Sequence, residues 1–93
     1  MSGQYNRTKT SYYRRLYVAY LIDSGTNTVQ GIIDATNMPR RTLQDTLKGL
    51  QDLDIICESR GGTKASSYRI TQWGAIEKSW IRENLQHIKD VLE

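Results

Sequence analysis

Apolar positions along the chain fall into four blocks of helical spacing and one block of strand spacing. Tyr13, Leu16, Tyr17, Tyr20 and Leu21 recur at steps of three and four, which predicts an amphipathic helix over about 11–23. Ser24-Gly25 stops it. Thr28 can cap the next helix through its hydroxyl, and Val29, Ile32, Ile33 and Thr36 form that helix's short inner face. Asn37 follows where a helix often ends in the left-handed conformation, which Asn tolerates. A third helix opens at Pro39, a residue preorganised for a first helical turn. Leu43, Leu47 and Leu50 make its buried stripe, with Leu53 a candidate for its end.

After Asp54 the period changes. Ile55, Ile56 and Cys57 are strand-like, Gly61-Gly62 forces a turn, and Ser67 to Thr71 alternates polar and apolar side chains as a half-buried strand does. This predicts a hairpin with a loop of about five residues, Gly61 to Ala65. From Trp73 to Leu92 the pattern is helical again. Residues 1–10 are polar, basic and aperiodic, and read as a flexible basic arm ahead of one domain over 11–93.

Helix, helix, helix, two-stranded hairpin and long helix is the order of a winged helix-turn-helix: a mainly α fold with a small β-hairpin wing. The run TVQGIIDATNMPRRTLQDTLKGLQDLDII resembles the helix-turn-helix core of bacterial winged-helix regulators. The continuation YRITQWG is similar to the last wing strand of those proteins as it leads into the next helix. More narrowly, the chain resembles small single-domain winged-helix proteins of gammaproteobacteria, in which the wing leads into a tryptophan-bearing helix, here Trp73 to Trp80. Asp54 stands where the related regulators often carry Gly, and Asp can adopt the same turn.

The resemblance implies a DNA-binding role, with residues 39–53 as a recognition helix in the major groove. Opposite its leucine stripe lie Arg41, Gln44, Asp45 and Lys48, with Arg40 at the exposed tip and Thr42 beside it. Arg can read guanine and Gln adenine through paired hydrogen bonds, and Lys48 suits a phosphate. Asp45 can accept from cytosine but repels phosphate. The wing, 60–66, carries Arg60 and Lys64 around Gly61-Gly62 and would lie on the backbone or in the minor groove. Arg7 and Lys9 in the arm could track a groove, and Arg14 and Arg15 could touch phosphate or pair with Asp23 or Asp34. For each of these cations the competing reading is an ordinary solvated surface.

The last helix carries two apolar stripes about 100° apart. Trp73, Ile76 and Trp80 form one; Ile81, Leu85, Ile88 and Leu92 form the other. Two stripes suggest two packing surfaces, so the second is expected to be a homodimer seam, the alternative being a helix folded back over the first helix and its tyrosines. A symmetric dimer would set two recognition helices about one duplex turn apart.

Charge agrees with an anionic partner. The chain of 93 residues carries a net +3, and its two halves differ. Residues 1–48 hold seven basic and three acidic side chains, whereas 49–93 hold six and seven. Tyr13, Tyr17 and Tyr20 read as core with wet hydroxyls, and a small effector pocket between the first and last helices stays open as a minor alternative. The single cysteine, Cys57, excludes an internal disulfide and a thiolate zinc cluster. His87 is the only histidine, so no metal pair and no enzyme or cofactor is expected. No stretch approaches the roughly 18–20 apolar residues of a membrane span, and the N-terminus lacks the apolar run of a secretory signal. The expectation is a cytoplasmic, sequence-dependent double-stranded DNA-binding regulator. The alternative is a protein-interaction module on the same scaffold.

Overall fold

The structure, a computed structural model, describes residues 6–61 and 67–93. Three helices come first: α1 (Arg7–Asp23), α2 (Val29–Thr36) and α3 (Arg40–Gly49), the last continued by a 3-10 turn over Leu50–Leu53. β1 (Ile56–Arg60) and β2 (Ser67–Gln72) pair antiparallel, and α4 (Lys78–Glu83) and α5 (Leu85–Leu92) follow. The order is that of a winged helix.

Local chemistry accounts for most boundaries. The Thr28 hydroxyl accepts the Gly31 amide at 3.0 Å and opens α2. Asn37 ends it at φ 59°, donating its amide to the Ile33 carbonyl. Pro39 lies one residue outside α3 as its cap, so the helix expected from 39 begins at Arg40. Asp54, at φ 59°, makes the left-handed turn that ends the 3-10 segment. The hairpin runs in register Cys57↔Ile70, Glu58↔Arg69 and Arg60↔Ser67. The Tyr68 amide donates to the Asn27 carbonyl at 2.8 Å, tying β2 to the segment that leads into α2.

Two boundaries differ from expectation. The first helix starts at Arg7 rather than 11, because the Asn6 side chain accepts the Lys9 amide at 2.8 Å and caps a turn that lacks apolar residues. Of the arm expected over 1–10, residues 7–10 are therefore helical, and 1–5 lie outside the described residues. The helix expected over 73–92 is two helices preceded by a turn. Gly74 sits at φ 60°, where a Cβ would come within 2.7 Å of the Leu53 carbonyl oxygen, so the chain passes too close to the 3-10 turn for any other residue. Asn84 divides α4 from α5: its side-chain amide donates to the Trp80 carbonyl at 2.8 Å, a local bond that competes with helix continuation.

α1 is packed from two sides. Val18, Ala19 and Ile22 join Ile32, Leu43, Leu50, Ile55 and Ile70 in one core. Leu16, two residues before Val18 and so on another side of the helix, joins Ile81 and Ile88 in a second, edged by Tyr12, Tyr13, Tyr17 and Tyr20. Leu53, Trp73 and Ile76 border both. Two residues of the expected dimer seam, Ile81 and Ile88, are thereby core. Ile81 and Ile88 have 0% exposure within a single chain, and Leu85 and Leu92 are half-buried along the same core. Leu16 of α1, with Tyr12, Tyr13, Tyr17 and Tyr20 at its edge, supplies the surface that covers them. Truncating Ile81 or Ile88 to Ala should then cost about 2–5 kcal/mol in a urea melt, and Leu85→Ala clearly less. Equal, small losses at all three positions would contradict this packing.

Candidate nucleic-acid interface

α3 divides into two faces. Leu43, Thr46 and Gly49 point inward and are buried, while Arg40, Arg41, Gln44, Asp45 and Lys48 are exposed. Thr42 is half-buried at the border. The structure therefore brings the α3 residues expected at a DNA interface onto one outer surface, with Thr42 turned toward α1.

The electrostatics of that surface are unbalanced in a telling direction. Pro39 provides no side-chain cap, and the first turn of α3 contains no acidic residue but holds Arg40 and Arg41. Cations at a helix N-terminus oppose the macrodipole, at a cost of about 0.3–1 kcal/mol each. Arg40 is partly held, donating to the Gln30 side chain at 3.4 Å, while Gln30 in turn donates to Asp34 at 2.8 Å. Among the described residues, Arg41 and Lys48 have no ion pair. Asp23 binds Lys78 at 2.7 Å, and Asp52 faces Arg15 at 4.0 Å. Asp45 is an exposed acid amid these cations, four residues after Arg41 and three before Lys48.

Arg15 thus pairs with neither Asp23 nor Asp34. Its guanidinium stem crosses α3 at Gly49, where a Cβ would lie 2.6 Å from Nε. Arg14, the next residue back, points into a groove of about 280 Å³ between α1 and α3, with Ser11, Thr42 and Asp45. Arg7 is exposed on the first turn of α1. Lys9 turns the other way, its ammonium 5.5 Å from the Tyr13 ring centroid.

In the hairpin, Arg60 is exposed at the end of β1, and Lys64 lies outside the described residues. Sequence reasoning passed over Arg69, which stands opposite Glu58 and is exposed. The alternation of Ser67 to Thr71 was the available signal, since it sends Arg69 away from buried Ile70. Arg60, Arg69, Tyr68 and Asn27 border a hollow of about 520 Å³ between the hairpin and the segment leading to α2.

Other candidate chemistry is sparse among the described residues. No group of three or more His, Cys, Asp or Glu side chains is placed to hold a metal ion, and no helix is long and apolar enough to cross a membrane. His87 lies edge-on to Tyr13, with ring centroids 5.6 Å apart. Cys57 is half-buried on β1, and burial pushes its thiol above the ordinary cysteine range, only partly offset by a backbone hydrogen bond from Arg69. A cleft of about 490 Å³, bordered by Arg14, Tyr17, Asn37, Pro39, Lys89 and Leu92, lies between α1 and the end of α5. That is where the sequence left room for a small molecule.

Comparison with known proteins agrees with the geometry. A family described as winged helix-turn helix matches residues 7–92. A solved structure of a DUF2131 family protein from Shewanella amazonensis SB2B is similar with a TM-score of 0.89, at 31% identity over 97% of this chain and 90% of that one. No functionally curated protein matches the chain.

Two outcomes follow from the local geometry. Asn37 holds the corner that aims α3, so Asn37→Gly should change stability by under about 0.5 kcal/mol, while Asn37→Val should lose about 2 kcal/mol in the same melt. A raised thiol pKa leaves less thiolate at any given pH. Cys57 in the folded protein should therefore alkylate more slowly with iodoacetamide than in the urea-unfolded chain, its pH midpoint displaced upward. Equal rates at pH 8–9 would contradict that burial.

Proposed function

The chain belongs to the winged helix-turn-helix family, and from that membership we propose that it binds double-stranded DNA, with α3 in the major groove and the hairpin along the adjoining backbone or minor groove. One observation carries the reading. The outer face of α3 presents Arg41, Gln44 and Lys48 to solvent, with no ion pair for either cation among the described residues.

The roles follow from side-chain chemistry. Arg41 and Gln44, near the helix start, suit guanine and adenine edges. Lys48, one turn on, suits a phosphate, as do Arg60 and Arg69 on the hairpin. Asp45 selects against bases that offer it no donor, and so contributes discrimination more than affinity. The hydrogen bond between Tyr68 and Asn27 holds the hairpin at a fixed place relative to α2, and hence to α3. Such a protein needs no chemistry: transcription would be controlled by occupancy of a site or by recruitment there. Pairing of copies through Ile81 and Ile88 is not part of this proposal, because both side chains are core.

A second reading, a protein-interaction module, is favoured by one feature. Trp80 remains 41% exposed, its ring 6.2 Å from that of Tyr13. An aromatic of that size on a surface is a common anchor for a partner. The two readings use different faces of the molecule.

Fluorescence anisotropy with a pool of random duplexes, over about 50–200 mM salt, separates them. We expect micromolar or tighter binding, with affinity falling steeply as salt rises. The double variant Arg41→Glu/Lys48→Glu should bind at least about a hundredfold more weakly at 100 mM salt while melting within a few degrees of the parent. Undiminished binding by that folded variant would overturn the α3 assignment. Flat anisotropy for the parent at tens of micromolar would shift the function to the Trp80 face.

A further inference from the structure

The first half of α1 carries a polar line that its second half does not continue. Arg7, Thr10, Ser11 and Arg14 fall at i, i+3, i+4 and i+7, one face of the helix. The next position on that line is Val18, fully buried in the core beneath α2 and α3. The same helix face thus changes from core to guanidinium and hydroxyl groups where α1 runs out past α3.

Three observations show what this line faces. First, Arg7, Thr10, Ser11 and Arg14 border a shallow groove of about 350 Å³. A second groove continues from Ser11 and Arg14 to Thr42 and Asp45 of α3, so the polar line and the outer face of α3 are neighbours. Second, α1 has no acidic residue in its first turn, and Arg7 stands there against the helix dipole. Third, neither Arg7 nor Arg14 has an ion pair among the described residues; Arg15 takes Asp52, and Asp23 takes Lys78. Guanidinium groups at seven-residue spacing lie about 10 Å apart along a helix, a span that reaches across successive phosphates of one strand.

We infer that the Arg7, Ser11 and Arg14 face of α1 is a second nucleic-acid contact, gripping the phosphate backbone of the duplex whose major groove α3 occupies. The inference rests on the α3 reading and extends it to a surface on another helix. Arg7 and Arg14 supply charge-assisted hydrogen bonds, and the Ser11 hydroxyl donates to the phosphate between them. The Thr10 hydroxyl is committed to the Asn6 carbonyl at 3.0 Å and secures the first turn instead. Contacts of this kind carry no base information, so the face sets affinity and register and leaves the preferred sequence alone.

The test compares the parent with Arg7→Gln/Arg14→Gln, and with Arg82→Gln as a control cation on α4, using the selected duplex and a salt series. Losing two phosphate contacts should flatten the slope of log K against log salt by about 1.8 and weaken binding about tenfold or more at 100 mM salt. The site selected from a random pool should stay the same. Arg82→Gln should match the parent, and circular dichroism should show all three folded. An unchanged slope and affinity in the double variant, with the parent still binding DNA, would overturn the α1 contact and leave the α3 reading standing. A parent that binds no duplex would overturn both. A changed sequence preference with an unchanged slope would also overturn it, since it would place these side chains on bases.

Discussion

Burial of α1 from both sides is the constraint on which the rest of this molecule depends. Val18, Ala19 and Ile22 close the core shared by α2, α3 and the hairpin, while Leu16 closes the core shared with α4 and α5. In a chain this small, neither core alone removes enough apolar surface from water to outweigh the entropy of ordering the chain. Joined through α1, and bordered on both sides by Leu53, Trp73 and Ile76, they behave as one packing problem. The tyrosines suit the second core because each ring covers a large area while its hydroxyl reaches water at the edge.

This arrangement also determines what stays outside. α3 gives its leucines to α1 and α2, so its cations have nowhere to point but away from the protein. The N-terminal half of α1 carries Arg14 to the side of α3, with Arg7 two turns further out on the same helix face. The hairpin is fastened by the Tyr68 amide to the segment ahead of α2, which fixes Arg60 and Arg69 against the same framework. Basic groups from three separate elements thus reach the surface, Arg7, Arg14, Arg41 and Lys48 without an ion pair among the described residues, although Asp45 stands among the α3 cations and Glu58 opposite Arg69.

Much of this is legible in the chain itself. The Thr28 cap, the left-handed Asn37, the turn at Asp54 and the hairpin all follow from side-chain chemistry that acts within a few residues. Arg41, Gln44 and Lys48 could be placed opposite the leucine stripe because a helix has a known period. Features that depend on a distant partner were harder to read. The periodicity of Ile81, Leu85, Ile88 and Leu92 says that they need an apolar surface, and says nothing of whose. The answer lay in α1, where Leu16 and the rings of Tyr12, Tyr13, Tyr17 and Tyr20 line the second core. The turn at Gly74 was hidden for a similar reason: it exists because the Leu53 carbonyl lies close by, twenty-one positions earlier in the chain. Arg15 likewise found Asp52, a partner that only the docking of α1 on α3 brings near.

A nucleic-acid surface formed by α3 and the neighbouring polar face of α1 can be read by amide mapping in nuclear magnetic resonance, titrating a duplex into isotopically labelled protein. Binding there should give the largest shifts at Arg40 to Lys48, with a second set at Arg7 to Arg14, and little change around Trp80, Ile81 and Ile88. Shifts concentrated on α4 and α5, with α3 silent, would contradict it.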